Sequence, residues 1–342
     1  MHFERLMMEN VGPFEGVQRI DFGYSQEASA VVICGGNGSG KTSVFRAIEW
    51  ALGRAGQSEG RFDSQQLIRN GTKSASVTLR FSLGGRNYEV TRRGFDADEK
   101  LRSEEVQLSV RTNREEKWGY VSNPDEHMES LLPKEVRAIL LDCEGLELHL
   151  ALRRASSSRL NIPKFKSWAT ARLESAGFAA AGGQGERTFT FLKHLFASRE
   201  THEAIGVIHF ARMHTMMLFR EWLLAADVLP SGWESLRGES LPWMLDSPFT
   251  PMDTDLRIEA AKLLSRSSSQ IVLAVNPIEL KPCVETVIEP RLGHLRLLRT
   301  GANDFGNSSV HAFGRTLDLS HGDDDHFSEI LVGNGQDQQS HG

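Results

Sequence analysis

The stretch Ala30–Thr42, which reads AVVICGGNGSGKT, decides the fold class of this chain. Its apolar beginning, Ala30–Cys34, is typical of a buried strand, and the residues that follow match GxxxxGK(S/T) at every defined position. Apolar residues at helical spacing, beginning at Val44, come after the motif. A strand, a glycine-rich loop and a helix in this order predict a phosphate-binding loop, whereas a chance glycine turn would lack this context.

The residue types in this loop suit a nucleotide. Glycines allow successive backbone N–H groups to point at phosphate oxygens, and the start of a helix adds a partial positive charge. We expect Lys41 to neutralise the β- and γ-phosphates and the Thr42 hydroxyl to bind Mg²⁺. The residues predicted to contact the nucleotide here are Gly35, Gly36, Asn37, Gly38, Ser39, Gly40, Lys41, Thr42 and Ser43.

A second metal-binding residue is expected at the end of a neighbouring buried strand. The short apolar run Trp243–Leu245 ends at Asp246, which we predict to bind Mg²⁺ through water. The alternative is that Asp246 only caps a strand-to-loop turn. Because Lys41 and Asp246 are far apart in sequence, something large lies between the two halves of the site.

Several other elements follow from periodicity and turn residues. Gly84-Gly85 separates two segments that alternate at period two, which predicts a hairpin. The highly polar segment 95–130 has no predicted element, and Asn123–Asp125 within it is interpreted as a turn. The remaining predictions are strands at 2–8, 17–22, 75–83, 87–92 and 271–275, and a helix at 203–228 rich in methionine and aromatic residues.

Composition limits the classes of protein that this chain can belong to. With 342 residues, 39% hydrophobic and 25% charged, it is globular, with a length typical of about two domains. The cysteines, Cys34, Cys143 and Cys283, form no CxxC pair, which argues against a zinc hook or a disulfide framework. No signal peptide and no apolar run of about 20 residues are present, so we expect a cytoplasmic protein. The net charge of −6 argues against a uniformly basic surface for nucleic acid but permits a local basic patch.

Several motifs together resemble the SMC-like branch of the ABC ATPases, which includes SbcC, RecF and DndD proteins. The turn Asn10–Phe14, which reads NVGPF, and Leu67–Gly71, which reads LIRNG before the hairpin, resemble the N-terminal part of that family. Leu141–Gly145 resembles the segment at the Q-loop position. Asp246–Phe249, followed by Asp253, resembles its Walker B motif and D-loop, and the motifs are most similar to the DndD type.

This resemblance implies an α/β fold of the ABC-type P-loop class. It consists of a mixed central sheet flanked by helices and an N-terminal antiparallel β-subdomain. The coiled-coil arm typical of SMC and SbcC proteins has no room here, because fewer than about 40 residues lie between Gly145 and Gly182. It also implies ATP and Mg²⁺ as cofactors, with Glu144 and Asp253 near the nucleotide. The implied partners are a second copy of the head or a related head, DNA, and a nuclease or another repair or defence subunit, with no membrane component. The implied role lies in DNA repair or anti-phage defence.

On this interpretation the chain is one composite head. Residues 1–145 form its N-terminal half, 146–180 a short basic insert in place of the coiled coil, 181–300 the C-terminal half, and 301–342 a partly mobile tail. We expect Pro163 to break any helix in the insert. RecF is a precedent for a short form without an arm, and a truncated head would have the same sequence pattern.

The signature motif is degenerate. Residues 180–187, which read AAGGQGER, align with LSGGQ or with SAGER, and the second alignment is preferred because Glu186 and Arg187 then match. The nucleotide contacts would come from Gly183, Gly185 and Glu186. Both alignments lack the hydroxyl that binds the γ-phosphate, and a flexible Ala/Gly linker is the alternative.

Two catalytic positions also depart from most ABC ATPases. Ser247 stands where a glutamate usually acts as general base, and Asn276 stands where a histidine is usual. We predict catalytic roles for Lys41, Asp246, Ser247 and Asn276, with slow hydrolysis. The alternatives are an ATP-sensing regulatory or scaffold subunit and a transporter ATPase, the latter disfavoured by the turn at Asn10–Phe14.

The basic insert is the candidate DNA-binding region. Its cations could contact DNA phosphates, or they could belong to a solvated linker paired with acidic residues elsewhere. The candidate residues are Arg153, Arg154, Arg159, Lys164 and Lys166.

Overall fold

The computed structural model describes most of both halves of the chain. The described residues are 1–23, 28–53, 67–95, 104–113, 116–133, 137, 162–175, 205–225, 236–266, 270–280, 282–299, 309–312, 315–318 and 329–333. They form two large sheets, a small hairpin and six α-helices, and all statements below refer to them.

The first sheet is antiparallel and comes entirely from the N-terminal half. Its order is β2-β1-β4-β5-β6-β7. The strands are β1 His2–Glu9, β2 Val17–Asp21, β4 Ser74–Leu83, β5 Arg86–Phe95, β6 Glu104–Arg111 and β7 Gly119–Tyr120. Leu83 pairs with Arg86 across the glycine turn, which confirms the predicted hairpin. Strand β6 was not predicted, because its charged residues hide the alternation.

The second sheet joins both ends of the chain. Its order is β13-β10-β3-β9-β8, with β13 antiparallel to β10 and the other neighbours parallel. The strands are β3 Ala30–Gly35, β8 Trp243–Asp246, β9 Ile271–Val275, β10 Leu292–Arg299 and β13 Glu329–Gly333. Strands β3, β8 and β9 confirm the predictions, whereas β10, β13 and the small hairpin β11 Ser309–Ala312 with β12 Arg315–Asp318 were not predicted.

Helix α1, Lys41–Ala51, lies between the two sheets. It contacts β4 and β5 of the antiparallel sheet and β3, β8 and β9 of the mixed sheet. Its buried side chains include Phe45, Ile48 and Trp50, so both faces of the helix contribute to one core. The phosphate-binding loop therefore leads into a helix that is held from two sides.

The other helices are α2 Pro124–Leu131, α3 Ile162–Ser175, α4 Ile205–Ala225, α5 Thr254–Arg266 and α6 Pro282–Ile288. Helix α4 confirms the prediction at 203–228. Helix α3 packs on α4 through Phe165, whose ring centroid lies 5.2 Å from that of Phe219 and 5.5 Å from that of Trp222. Arg172 Nη2 also lies 3.0 Å from the Glu221 carboxylate.

Two predictions about proline were wrong. Asn123–Asp125 was interpreted as a turn, but Pro124 is the first residue of α2 and Asn123 is its N-cap. Pro163 was expected to break any helix, yet it lies in the first turn of α3. Both have the same cause, because a backbone N–H in the first turn of a helix has no acceptor within the helix and its loss costs little.

Candidate nucleotide-binding site

The Lys41 ammonium folds back onto the phosphate-binding loop. Its Nζ donates to the carbonyl oxygens of Gly35 at 2.8 Å and Gly36 at 2.7 Å, and the residue is 7% exposed. Burial lowers the pKa of Lys41, and the negative charges of Asp246 and Glu279 oppose that shift. Phosphate oxygens are charged and therefore stronger acceptors than these carbonyls, so a bound nucleotide would offer the ammonium better partners.

The two predicted metal-binding residues, Thr42 and Asp246, are in direct contact. The Thr42 hydroxyl donates to Asp246 Oδ2 at 2.6 Å, although the residues are 204 positions apart in sequence. A hydroxyl and a carboxylate are the hard oxygen ligands that Mg²⁺ prefers. Since both converge beside Lys41, the residues present fit a magnesium ion that accompanies a nucleotide.

The turn at Asn10–Phe14 packs against the loop. Gly40 precedes α1 with a φ of +96°, and a Cβ at this position would lie 2.7 Å from Phe14 Cζ and 2.8 Å from Pro13 Cγ. Gly12 has a φ of +56°, and a Cβ there would lie 2.9 Å from Ser43 Oγ. Both glycines permit a close approach between the turn and the start of α1, which the sequence motif did not reveal.

Arg69 holds this turn in place. Its Nη1 donates to the Pro13 carbonyl oxygen at 2.7 Å, and its Nη2 contacts the Glu15 carboxylate at 3.3 Å. The Gly12 N–H donates to the Leu67 carbonyl oxygen at 2.6 Å, which joins the same two segments through the backbone. In the sequence Arg69 belongs to the segment LIRNG, which gives no sign of this contact.

These groups surround a cavity of about 470 Å³, a size typical of small-molecule sites. Ser39 is fully buried, and its Oγ has no hydrogen-bond partner among the residues that the structure describes. The predicted residues Gly35, Gly36 and Ser39 support the loop without lining the cavity. Its lining consists of Pro13, Asn37, Gly38, Gly40, Lys41, Thr42, Ser43, Asp246 and Ser247.

Ser247 is at the cavity wall in an unusual backbone conformation. Its φ is +47°, in the left-handed region that non-glycine residues rarely adopt. Its N–H donates to the Ala274 carbonyl oxygen at 2.7 Å, which fixes the loop against β9. The strain and the missing carboxylate distinguish this position from a usual general base.

Asn276 follows β9 and makes a local turn. Its Oδ1 accepts from the Glu279 N–H at 3.0 Å, and its own N–H donates to Glu279 Oε2 at 2.8 Å. Glu279 is 1% exposed and was missed by sequence analysis. Its position could have indicated a role, because Glu279 follows a buried parallel strand and functional residues are common at that end of such strands.

Asp253 caps a helix. Its Oδ1 accepts a hydrogen bond from the Leu256 N–H at 2.9 Å. Asp253 is exposed and directly precedes Thr254, the first residue of α5. Asp253, which the resemblance places near the nucleotide, is not among the residues that line the cavity.

Several predicted site residues fall outside the described part of the chain. They are Glu144, Arg153, Arg154, Arg159, Gly183, Gly185 and Glu186. Lys164 is exposed on α3, and Lys166 on the same helix is half-buried, with a pKa that burial lowers.

Parts of the chain are similar to a known domain family and to known relatives. A family model described as an AAA domain matches residues 5–148. The DNA double-strand break repair Rad50 ATPase of Methanocaldococcus jannaschii is 42% identical over 66 residues, 19% of this chain and 6% of the relative. The SbcC component of the nuclease SbcCD from Treponema pallidum is 38% identical over 93 residues, 26% of this chain and 8% of the relative. The aligned segments therefore span less than a tenth of these relatives.

A solved structure matches nearly the whole chain. It is the SMC head bound to the C-winged helix domain of ScpA, with a TM-score of 0.57, 14% identity and coverage of 98% of each chain. At this identity the likeness establishes the fold, which is that of an SMC-type head. The predicted fold class, an ABC-type P-loop fold with a mixed central sheet and an antiparallel β-subdomain, is confirmed.

The described residues contain neither a membrane-spanning helix nor a preformed metal cluster. None of the helices there combines the length and the apolar character that a bilayer crossing needs. Within the same residues, no three His, Cys, Asp or Glu side chains are grouped as metal ligands.

Proposed function

We propose that this chain is a Mg-ATP-binding head of the SMC-like ABC ATPase type that hydrolyses ATP slowly. The observation that supports this most directly is the contact of Thr42 with Asp246 beside the Lys41 ammonium. It joins the two halves of a nucleotide site that are distant in sequence. The AAA domain match at residues 5–148 is consistent with this role.

The residues at the cavity have different proposed roles. Lys41 and the N–H groups of the loop would bind the phosphates, and Thr42 with Asp246 would hold Mg²⁺, which supplies positive charge to the phosphate oxygens. Ser247 has no carboxylate to orient water, which is the reason we expect slow turnover.

We propose further that two heads associate on ATP. Two large apolar side chains are exposed and could be covered by a partner: Ile278 is 73% exposed and Ile205 is 75% exposed. Ile278 follows β9 at the sheet edge where Asp246 also ends β8, so a second head seated over the nucleotide would cover it. The partner is a second copy of this chain or a related head.

The biological setting that we propose is DNA repair or anti-phage defence, with the DndD type as the most similar subgroup in motifs. Relatives are named for DNA double-strand break repair and for a nuclease, which supports DNA and a nuclease or defence subunit as partners. DNA contact is assigned to the basic insert, which includes Lys164 and Lys166.

A second candidate is an ATP sensor with little hydrolysis. It is favoured by Ser247 and by Asn276, whose amide oxygen is already occupied by the Glu279 N–H. Such a protein would bind ATP and associate without turnover.

Single-turnover hydrolysis with excess protein separates the two candidates. Wild type should convert ATP, and Lys41→Ala should lose binding about 100-fold because charged hydrogen bonds disappear. Lys262→Ala, an exposed lysine paired with Glu259, is the matched control. Binding that depends on Lys41 without any turnover would support the sensor, and no Lys41-dependent binding would refute both.

A further inference from the structure

A buried carboxylate joins the two loops that follow β8 and β9. Glu279 is 1% exposed, and its Oε1 accepts a hydrogen bond from the Thr250 hydroxyl. Its Oε2 accepts from the Asn276 N–H at 2.8 Å. Both carboxylate oxygens are thus occupied, one by each loop.

Each loop carries a residue of the candidate site. Thr250 belongs to the segment between Asp246 and Asp253, and its N–H donates to the Ser247 carbonyl oxygen at 3.3 Å. The Ser247 N–H in turn donates to the carbonyl oxygen of Ala274, two residues before Asn276. The Ser247 N–H therefore joins the first loop to β9, and Glu279, which belongs to the second loop, joins the two loops through Thr250.

The position of the charge is also specific. Glu279 does not line the cavity, yet it is close enough to act on the buried Lys41 ammonium through space. A buried carboxylate is costly unless it is hydrogen-bonded, and both oxygens of Glu279 accept hydrogen bonds.

We propose that Glu279 is a positioning residue that makes the Ser247–Thr250 loop and the Asn276 loop a single unit. The proposal rests on the proposed function and deepens it, because Ser247 of the first loop lines the cavity and Asn276 of the second is a predicted catalytic residue. Glu279 does not act as the missing general base, since its two oxygens are engaged and outside the cavity.

The first test needs no nucleotide. Amide hydrogen exchange is measured on peptides covering 246–253 and 271–280 in the full chain. Glu279→Ala should speed exchange in both peptides by about tenfold or more, because both loops lose a buried contact. The matched control is Glu289→Ala, an exposed glutamate beyond α6, which should change neither peptide. Faster exchange in only one peptide, or in neither, refutes the coupling.

The second test separates positioning from general structure. Glu279→Ala should lower single-turnover hydrolysis by about 10- to 100-fold, as expected for misplaced catalytic groups, while the Kd for Mg-ATP changes less than about threefold. Glu279→Gln should restore most of the rate, because its amide can still accept from Asn276 and donate to the Thr250 hydroxyl. An equal loss of binding, or no rescue by glutamine, overturns the proposal.

Thr250→Val provides a variant in case Glu279→Ala does not fold. It removes one contact of Glu279 and should lower the rate in the same direction; where Glu279→Ala does fold, combining the two substitutions should cause no further loss. Additive losses would show that the two residues act independently.

If wild type shows no Lys41-dependent turnover, the proposed hydrolysis fails and the exchange test still decides on Glu279. If turnover is present and both peptides behave like the control, the role of Glu279 fails while the proposed function stands.

Discussion

The two sheets bury their side chains in different ways. In the antiparallel sheet, β4 alternates strictly between buried and partly exposed residues over Ser74–Leu83. In the mixed sheet, β3 and β9 are buried at every position. One sheet therefore has a solvent face and the other is covered on both faces.

The two sheets also differ in their relation to the candidate site. We call the mixed sheet, which carries site residues, the chemical side, and the antiparallel sheet with its Gly12–Phe14 turn the supporting side. Three residues that the sequence assigned to the site, Gly35, Asp246 and Asn276, lie at the carboxyl ends of parallel strands in the mixed sheet, and Asp246 lines the cavity. The antiparallel sheet reaches the site through the Gly12–Phe14 turn alone among the residues described. Mutations on the two sides should therefore differ in whether they affect stability or metal-dependent binding.

The largest effect is expected on the supporting side, at Phe14. This side chain is fully buried and touches Gly40, so Phe14→Ala should destabilise the chain by about 3–5 kcal/mol and weaken nucleotide binding. Urea unfolding and ATP titration measure the two effects. Val17→Ala, at a position 61% exposed, is the control. An unfolding change with unaltered ATP affinity would show that the turn does not support the loop.

On the chemical side, Asp246→Asn should affect metal-dependent binding. We expect the Kd for ATP to rise about 10- to 100-fold in Mg²⁺ and to stay unchanged in EDTA, because the variant removes the carboxylate and keeps the shape. Isothermal titration under both conditions checks this, with Asp255→Asn at the start of α5 as control. Equal changes with and without Mg²⁺ would remove Asp246 from the metal site.

A smaller effect is expected at Arg69. Arg69→Ala should weaken nucleotide binding about tenfold, roughly 1.4 kcal/mol, because the Pro13 carbonyl loses a charged donor and the turn loosens. The rate at saturating ATP should not change. Arg93→Ala, exposed on β5, is the matched control. A lower hydrolysis rate at saturating ATP would show that Arg69 affects the catalytic step and does not only hold the turn in place.

The smallest effect is expected at Ser247. Because its φ is +47°, Ser247→Gly should relieve strain and stabilise the chain by about 1 kcal/mol at most. Ser265→Gly, within α5, should do the opposite through lost helix propensity. Thermal unfolding of the two variants compares them directly, and a destabilised Ser247→Gly would mean that the serine hydroxyl contributes more than the strain costs.

The sequence predicted the chemical side better than the supporting side. Continuous apolar runs such as Ala30–Cys34 and Trp243–Leu245 are followed by glycine or polar residues, and this pattern identifies strand ends that meet at one edge. The pairing of Thr42 with Asp246 follows from that rule, although the residues are distant in sequence.

The supporting contacts could not be predicted, because they depend on side-chain packing between elements. The local sequence marks Arg69 only as part of a motif and Glu279 only by its place after β9. Their roles come from contacts with Pro13 and Thr250, which lie elsewhere in the chain. Strand β6 and helices α2 and α3 were missed for a local reason, since charged residues mask the alternation of β6 and proline is compatible with a helix start.

The position of β3 has a consequence for how the chain is made. Its neighbours in the sheet, β9 and β10, begin only at Ile271 and Leu292. At about 5–20 residues per second, roughly 10–50 s of synthesis separate Gly35 from Ile271. During that time an apolar strand destined for the interior has no partners on either side. We therefore expect the nascent chain to depend on chaperones until its last third has emerged from the ribosome.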